Sequence, residues 1–244
     1  MRSSHGDGSE TIRRARPDDI EPILTLLTEY ELPRSSFEPF YMHDTSYRPE
    51  HSWVVEQQGR LLSHIRIYDR WIRVGQAKLH IAGIGNVITA RDARGHGYVG
   101  RIMATILPVL QQEGYAYSLL WTHLAGLYGR SGWVPIEQEV VRAVLHPTLS
   151  GSVRIGPAQQ QELPALMHLY DVANAQRTGT TVRSPEYWQE LPLWLQEKAN
   201  DSSLLTRTRW IRLLAMYAVE SRRMRWTYSN WRAKETAPTL PTRC

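Results

Sequence analysis

Apolar and polar residues alternate from Thr11 to Arg16, the spacing of a β-strand. Pro17-Asp18-Asp19 then predicts a turn into a helix, with acids at the positive end of its dipole and Ile20, Ile23, Leu24 and Leu27 on one face. Pro33 to Pro49 is irregular, with room for one short helix. Trp53 to Glu56 and Leu61 to Arg73 read as a hairpin turning at Gln57-Gln58-Gly59-Arg60, with a further turn near Gly75. Leu79 to Thr89 is the next apolar strand, and Gly83 and Gly85 mark it as the place for a bulge. After Arg91 to Arg101 an amphipathic helix carries Ile102, Ile106, Val109 and Leu110 on one side, and Gly114 stops it. A strand over Tyr115 to Trp121, a short helix over Leu124 to Arg130 and a long strand over Trp133 to Leu145 complete this half. The pattern restarts after a linker around Pro147 to Gly156, with helices over Ala158 to Ala175 (Leu163, Leu166 and Tyr170 on one face) and Glu186 to Leu195. The pattern therefore gives a mixed α/β (α+β) fold class, with a glycine-rich loop between a central strand and a helix.

Arg94-Gly95-His96-Gly97-Tyr98-Val99-Gly100 sits between a strand and a helix. Glycines let the backbone turn tightly, and the first-turn N–H groups of the helix have no helical partners. With the helix dipole they make an anion site suited to a pyrophosphate, to which Arg94 adds a charge-assisted bond. No Gly-Lys-Ser/Thr follows, which excludes a nucleoside-triphosphate loop. The preceding strand belongs to hairpins and no acidic ribose ligand follows at about 20 residues, which excludes a dinucleotide fold. Asn86-Val87-Ile88-Thr89 would present free backbone groups if it splays from the strand at Tyr115 to Trp121, and an extended pantetheine arm could pair with them. His123 to Trp133 then presents Tyr128 on a short helix, a residue that could equally be core.

These segments resemble the GCN5-related N-acetyltransferases (the GNAT superfamily): the arginine-glycine loop is similar to their acyl-coenzyme A motif, and Leu127-Tyr128-Gly129-Arg130-Ser131-Gly132-Trp133 to their later leucine-tyrosine signature. Val99 and the Tyr128-Gly129-Arg130 run resemble the Eis-type (enhanced intracellular survival) members, which acetylate aminoglycosides and other amines. The resemblance implies a GNAT fold, a mixed, largely antiparallel sheet splayed at the acetyl-coenzyme A site and flanked by helices, and direct attack of a neutral amine on the thioester. Tyr128 is the implied catalytic acid, and the N–H of Ile88 or Val87 polarises the carbonyl. Cofactor contacts are implied for Val87, Ile88, Thr89, Arg94, Gly95, His96, Gly97, Tyr98, Val99, Gly100 and His123. In the family the base is a C-terminal carboxylate; Pro241-Thr242-Arg243-Cys244 shows no counterpart, so the base stays unassigned. His123 could serve as base, although a structural or cofactor-contact role is the expected one. The partner is a small-molecule amine, aminoglycoside-like or polyamine-like, and Glu29, Glu31, Glu38 and Asp44 are candidates for an acidic rim. The cleft is expected between Pro33 to Pro49 and the start of the second half. The alternatives are a degenerate coenzyme A-binding or interaction protein and a protein N-acetyltransferase. A homo-oligomer is left open.

Composition narrows the remaining classes. The net charge of +5 is concentrated from Asp201 to Cys244, where nine basic residues face three acids, so the body is not basic and a nucleic-acid role is disfavoured. The 9 histidines show no metal spacing and the 1 cysteine, Cys244, excludes a disulfide framework within the chain, predicting no metal and a reduced, cytoplasmic setting. No apolar run suits a signal peptide or a bilayer span. The expected organisation is a disordered 1–10, an acetyltransferase domain over 11–147, an incomplete second acetyltransferase-like domain over 157–200, and a basic Trp/Arg-rich tail over 201–244. The tail shows no strand-turn-strand signal after Leu195. It is expected either as the mark of a truncated or frame-shifted member or as an amphipathic helix over Trp210 to Met216.

Overall fold

The computed structural model describes residues 9–136, 160–195 and 212–217. Its strands are β1 (Thr11–Arg14), β2 (Ser52–Gln57), β3 (Arg60–Val74), β4 (Ala77–Thr89), β5 (Tyr117–Thr122), β6 (Val134–Pro135) and β7 (Arg212–Tyr217). They form one sheet in the order β1-β2-β3-β4-β5-β7-β6, antiparallel except for the parallel pair β4–β5. The helices are α1 (Ile20–Leu27), α2 (Glu38–Met42), α3 (Tyr98–Gln112), α4 (Ala125–Gly129), α5 (Leu163–Asn174) and α6 (Pro185–Leu195). The mixed α/β class is the one the hydrophobic pattern predicts, and the largely antiparallel sheet is the one the resemblance implies.

Local chemistry explains the well-predicted elements. Gln58 and Gly59 both take positive φ (51° and 79°), the conformation a two-residue hairpin turn requires, and Gln57 pairs directly with Arg60. Ile23, Leu24 and Leu27 of α1 are fully buried together with Val54, Ile65, Ile102 and Ile106. Asp19 does more than complement a dipole: it takes both terminal nitrogens of Arg13 at 2.6 and 3.0 Å and the Arg16 N–H at 2.6 Å, tying β1 to the start of α1.

Three expectations need correction. Glu10 lies inside the ordered structure, accepting hydrogen bonds from the Tyr98 hydroxyl and Arg101. Arg212 to Tyr217 is a strand and not a helix. It pairs along the whole of β5, from Tyr117↔Tyr217 to Thr122↔Arg212, and also meets β6. An unfilled sheet edge offers backbone partners on both sides, and that non-local gain overrides a local helical pattern. The third concerns the glycines of β4. The bulge lies at Asn86–Val87, two residues that oppose the single Ile65, with Asn86 at φ 49°. Gly83 and Gly85 instead make room for Tyr68, its β-carbon at Gly83 and its ring at Gly85. A β-carbon at Gly85 would stand 2.7 Å from Tyr68 Cε2, and one at Gly83 3.2 Å from Tyr68 Cβ. Gly85→Ala is therefore expected to destabilise by about 2 kcal/mol, because the half-buried Tyr68 ring must shift. Thermal unfolding checks this, with Gly126→Ala, which has open space around it and no positive φ, as the control for an uncrowded site.

The second half docks on the far end of β3, where β2 has ended. Arg73 N–H donates to Thr180 O at 2.8 Å, Gly179 N–H to Arg73 O at 2.8 Å and Val182 N–H to Trp71 O at 2.7 Å. The Arg73 guanidinium reaches Thr181 O and Asp171 at 2.9 and 2.5 Å. Leu163, Leu166 and Tyr170 are the half-buried face of α5, while Leu169 and Val172 stand exposed. Trp188 of α6 is buried edge-on against Tyr170. The linker and most of the Trp133 to Leu145 segment lie outside the described residues.

Candidate active site

The β4–β5 ladder runs only from Ile81↔Tyr117 to Ile84↔Leu120. Beyond Ile84 the chain of β4 continues to Thr89 paired with β3 alone, so the two central strands part. The loop that follows carries Gly95 at φ 85° and Gly97 at φ 74°, left-handed conformations that a β-carbon strains. Both face open space, so the demand for glycine is conformational. Gly97 is the N-cap of α3 and has no capping side chain. The first intrahelical bond runs from Arg101 N–H to Gly97 O at 3.1 Å, and no acid sits in the first turn. The N–H groups of Tyr98, Val99 and Gly100 thus begin a 15-residue helix uncapped, at the positive end of its dipole. Arg94 is exposed and its Nε donates to Thr89 O at 3.2 Å. The His96 ring stacks on Tyr98, with Nδ1 3.2 Å from the carbonyls of Ala93 and Arg94; the Tyr98 side chain turns inward. Val99 is half-buried against the core.

Three successive carbonyls of the parted strand are each held by a side-chain donor. His64 Nδ1 bonds Asn86 O at 2.8 Å, the Tyr30 hydroxyl bonds Val87 O, and Ser63 Oγ bonds Ile88 O at 2.9 Å. Ser63 Oγ also meets Thr89 Oγ1 at 2.9 Å. Ala90 N–H donates to Leu62 O, so in the antiparallel ladder Ile88, paired with His64, turns its own N–H toward β3. Val87 differs. Its N–H belongs to the planar trans peptide whose carbonyl points at His64, so it is directed away from β3. Of the two donors read from the sequence, Val87 is the one facing the parted edge.

Tyr128 of α4 is buried, lies edge-on to Trp133, and its hydroxyl has no hydrogen-bond partner among the described residues. Burial pushes its pKa up to about 12. Burial, and then the neighbouring phenols of Tyr128 and Tyr68, also raise Tyr30. The three tyrosines therefore share one electrostatic neighbourhood. His123 is exposed just past β5.

The expected acidic rim is spent on internal pairs. Glu29 accepts the Arg91 N–H at 2.7 Å and Glu31 its guanidinium at 2.8 Å, while Glu38 pairs with Arg34 at 2.9 Å. Asp44 is buried between Arg66 and Arg70 at 2.7 and 2.6 Å. Burial pushes its carboxyl up, but the two guanidiniums outweigh this and hold it below the ordinary range. Thr45 N–H donates to Glu190 of α6 at 3.0 Å, so the irregular segment and the second half touch where a cleft was expected. Sequence reasoning missed His64, Tyr30 and Ser63. Each acts across strands or from a distant helix, and only Asn86, a residue type tolerant of positive φ, carried a local sign.

His64 is fully buried and its pKa is lowered to about 3, chiefly by desolvation. The unfolded chain binds a proton near pH 6.5 that the folded chain refuses. Its contribution to stability is thus complete above that pH and is lost as pH falls toward 3. Between pH 7 and 5 it contributes a loss of about 2 kcal/mol, before most carboxylates titrate. Urea unfolding at the two pH values checks this, and His64→Asn should flatten the difference.

Residues 11–136 match the family model described as the acetyltransferase (GNAT) domain, more than half of the chain, and the chain belongs to that family. Among solved structures it is similar to a GCN5-related N-acetyltransferase from Kribbella flavida (17% identical, TM-score 0.57, covering 76% of this chain and 49% of that one). It is similar also to one from Anabaena variabilis ATCC 29413 (17%, TM-score 0.56, 75% and 47%). A third is Eis1 from Mycobacterium abscessus (16%, TM-score 0.53, 79% and 49%). At such identities the likeness is one of fold, and the chain spans about half the length of these proteins. No curated protein matches the sequence. No described helix is long and apolar enough to cross a membrane.

Proposed function

We propose that this chain is an acetyl-coenzyme A-dependent N-acetyltransferase that moves an acetyl group to the primary amine of a small molecule by direct attack. The observation that carries this reading is an open β4 edge followed by an uncapped α3 N-terminus, with Tyr128, whose hydroxyl has no partner among the described residues, close to the Tyr30 that holds Val87 O. The residues fit the cofactor chemically: the N–H groups of Tyr98, Val99 and Gly100 suit a pyrophosphate, and Gly95, His96 and Gly97 supply the turn. Arg94 adds positive charge. Val87 and Thr89 offer edge groups to the amides of a pantetheine arm, and His123 is a further contact. Acetyl-coenzyme A supplies the activated acyl thioester. The Val87 N–H donates to its carbonyl oxygen as negative charge develops there. The amine nitrogen bonds to the acetyl carbon and the C–S bond breaks; Tyr128 donates a proton to the departing sulfur, and the nitrogen sheds its extra proton to solvent, from which Tyr128 is reprotonated. A pKa of about 12 makes it a reluctant acid, but burial raises the thiol's pKa in the same site.

The acetyltransferase domain is assigned to 11–147 and the opening of a second such unit to 157–200. Aminoglycoside-like and polyamine-like amines head the acceptor panel on the Eis-type resemblance, without support from the paired acids. Incubated with acetyl-coenzyme A and that panel, the protein is expected to release free thiol above an amine-free blank for at least one amine. Coenzyme A uptake with no release for any amine would favour a binding protein without turnover.

A further inference from the structure

The bulge at Asn86–Val87 is over-determined. Asn86 holds a left-handed backbone conformation, its carbonyl accepts from His64, and its side-chain Nδ2 donates to the Tyr41 hydroxyl at 3.1 Å. Behind His64 runs a buried relay whose directions follow by elimination. A carbonyl can only accept, so His64 Nδ1 carries the proton. The ring is neutral, so Nε2 accepts, and Ser52 Oγ at 3.0 Å must donate to it. Ser52 Oγ then accepts from the Tyr47 hydroxyl at 3.2 Å. Ser52 and His64 are both fully buried, so their own groups fix the direction of this chain.

We propose that His64 is a positioning residue for the transferase reaction: by holding the Asn86 carbonyl in the core it aims the Val87 N–H, on the opposite side of the same rigid peptide, at the carbonyl oxygen of the acetyl thioester. The inference rests on the function proposed above. A generic strand contact would stabilise the fold without fixing that one peptide's direction, whereas this bond acts on the peptide whose N–H faces the parted edge. His64 touches no substrate and exchanges no proton.

His64→Asn and His64→Gln separate the two roles. Asparagine keeps a donor near the place of Nδ1, and glutamine moves its amide toward the place of Nε2. With carbonyl-labelled acetyl-coenzyme A, the bound thioester's infrared carbonyl stretch reports its polarisation directly. The wild type and His64→Asn are expected to lower that frequency on binding, and His64→Gln to lose the shift. The dissociation constant should stay within about threefold in both variants, since the phosphate loop is untouched. The kcat of His64→Gln should fall about 10- to 100-fold, part of the loss seen when an oxyanion donor is removed outright. A His64→Gln protein that binds and retains both shift and rate overturns the positioning role alone. A folded wild type that binds no acetyl-coenzyme A overturns the function reading and this inference with it. A wild type that binds without any shift overturns the role assigned to Val87, and with it His64.

Discussion

Gly97→Glu should weaken acetyl-coenzyme A binding at least 100-fold while leaving the protein folded. Gly97 stands at φ 74° as the N-cap of α3, directly before the uncapped N–H groups. A β-carbon there strains the backbone by about 1–2 kcal/mol, and relief of that strain would move the first turn. The carboxylate would itself satisfy the helix N-terminus, which has no acid in its first turn, and would repel an incoming phosphate. A loss of about 2.8 kcal/mol already gives the 100-fold. Gly114→Glu supplies the control: Gly114 has φ 81° and open space around it, so it carries similar strain at the other end of α3. It should lower the unfolding temperature by a similar few degrees and leave binding unchanged. Isothermal titration of both variants decides between charge at the loop and strain alone.

The second large effect is at Tyr128. Tyr128→Phe should lower kcat about 10²- to 10³-fold with little change in KM for acetyl-coenzyme A, the magnitude usual for loss of a positioned acid. Because the hydroxyl makes no hydrogen bond within the described protein, its removal leaves no partner stranded, and stability should change little. The pH profile adds a separate check. Burial disfavours the phenolate, so with a pKa of about 12 the acid stays protonated across the working range. The rate should therefore climb as the acceptor amine loses its proton and then level off, with no descending limb below about pH 11. A descending limb near pH 8 or 9 in the wild type would assign the acid to another group.

How much of this was legible in the chain depends on how local each cause is. The Arg94 to Gly100 loop could be read directly, because left-handed glycines followed by an apolar helix are written in consecutive residues. The same is true of the Gln57 to Arg60 hairpin turn. The meaning of Gly83 and Gly85 could not be read, since it depends on Tyr68 of the neighbouring strand, whose β-carbon stands against Gly83 and whose ring stands against Gly85. Acidic residues near the mouth suggested an acidic rim, but Asp44, Glu29, Glu31 and Glu38 answer to arginines 4 to 62 residues away. Arg212 to Tyr217 became a strand because of where β5 and β6 leave room, which no window of that segment reveals. His64 illustrates the same limit: a histidine in an apolar strand reads as ordinary core, and only the peptide it holds gives it a role.

The central claim is that the parted β4 edge and the start of α3 together hold acetyl-coenzyme A. Amide hydrogen exchange of the wild type with and without acetyl-coenzyme A tests it most directly. The account predicts slowed exchange at Val87 and Thr89 and at Gly95 to Gly100, with β1, β2 and α5 unchanged. Binding accompanied by protection elsewhere, with those amides exchanging as before, would contradict it.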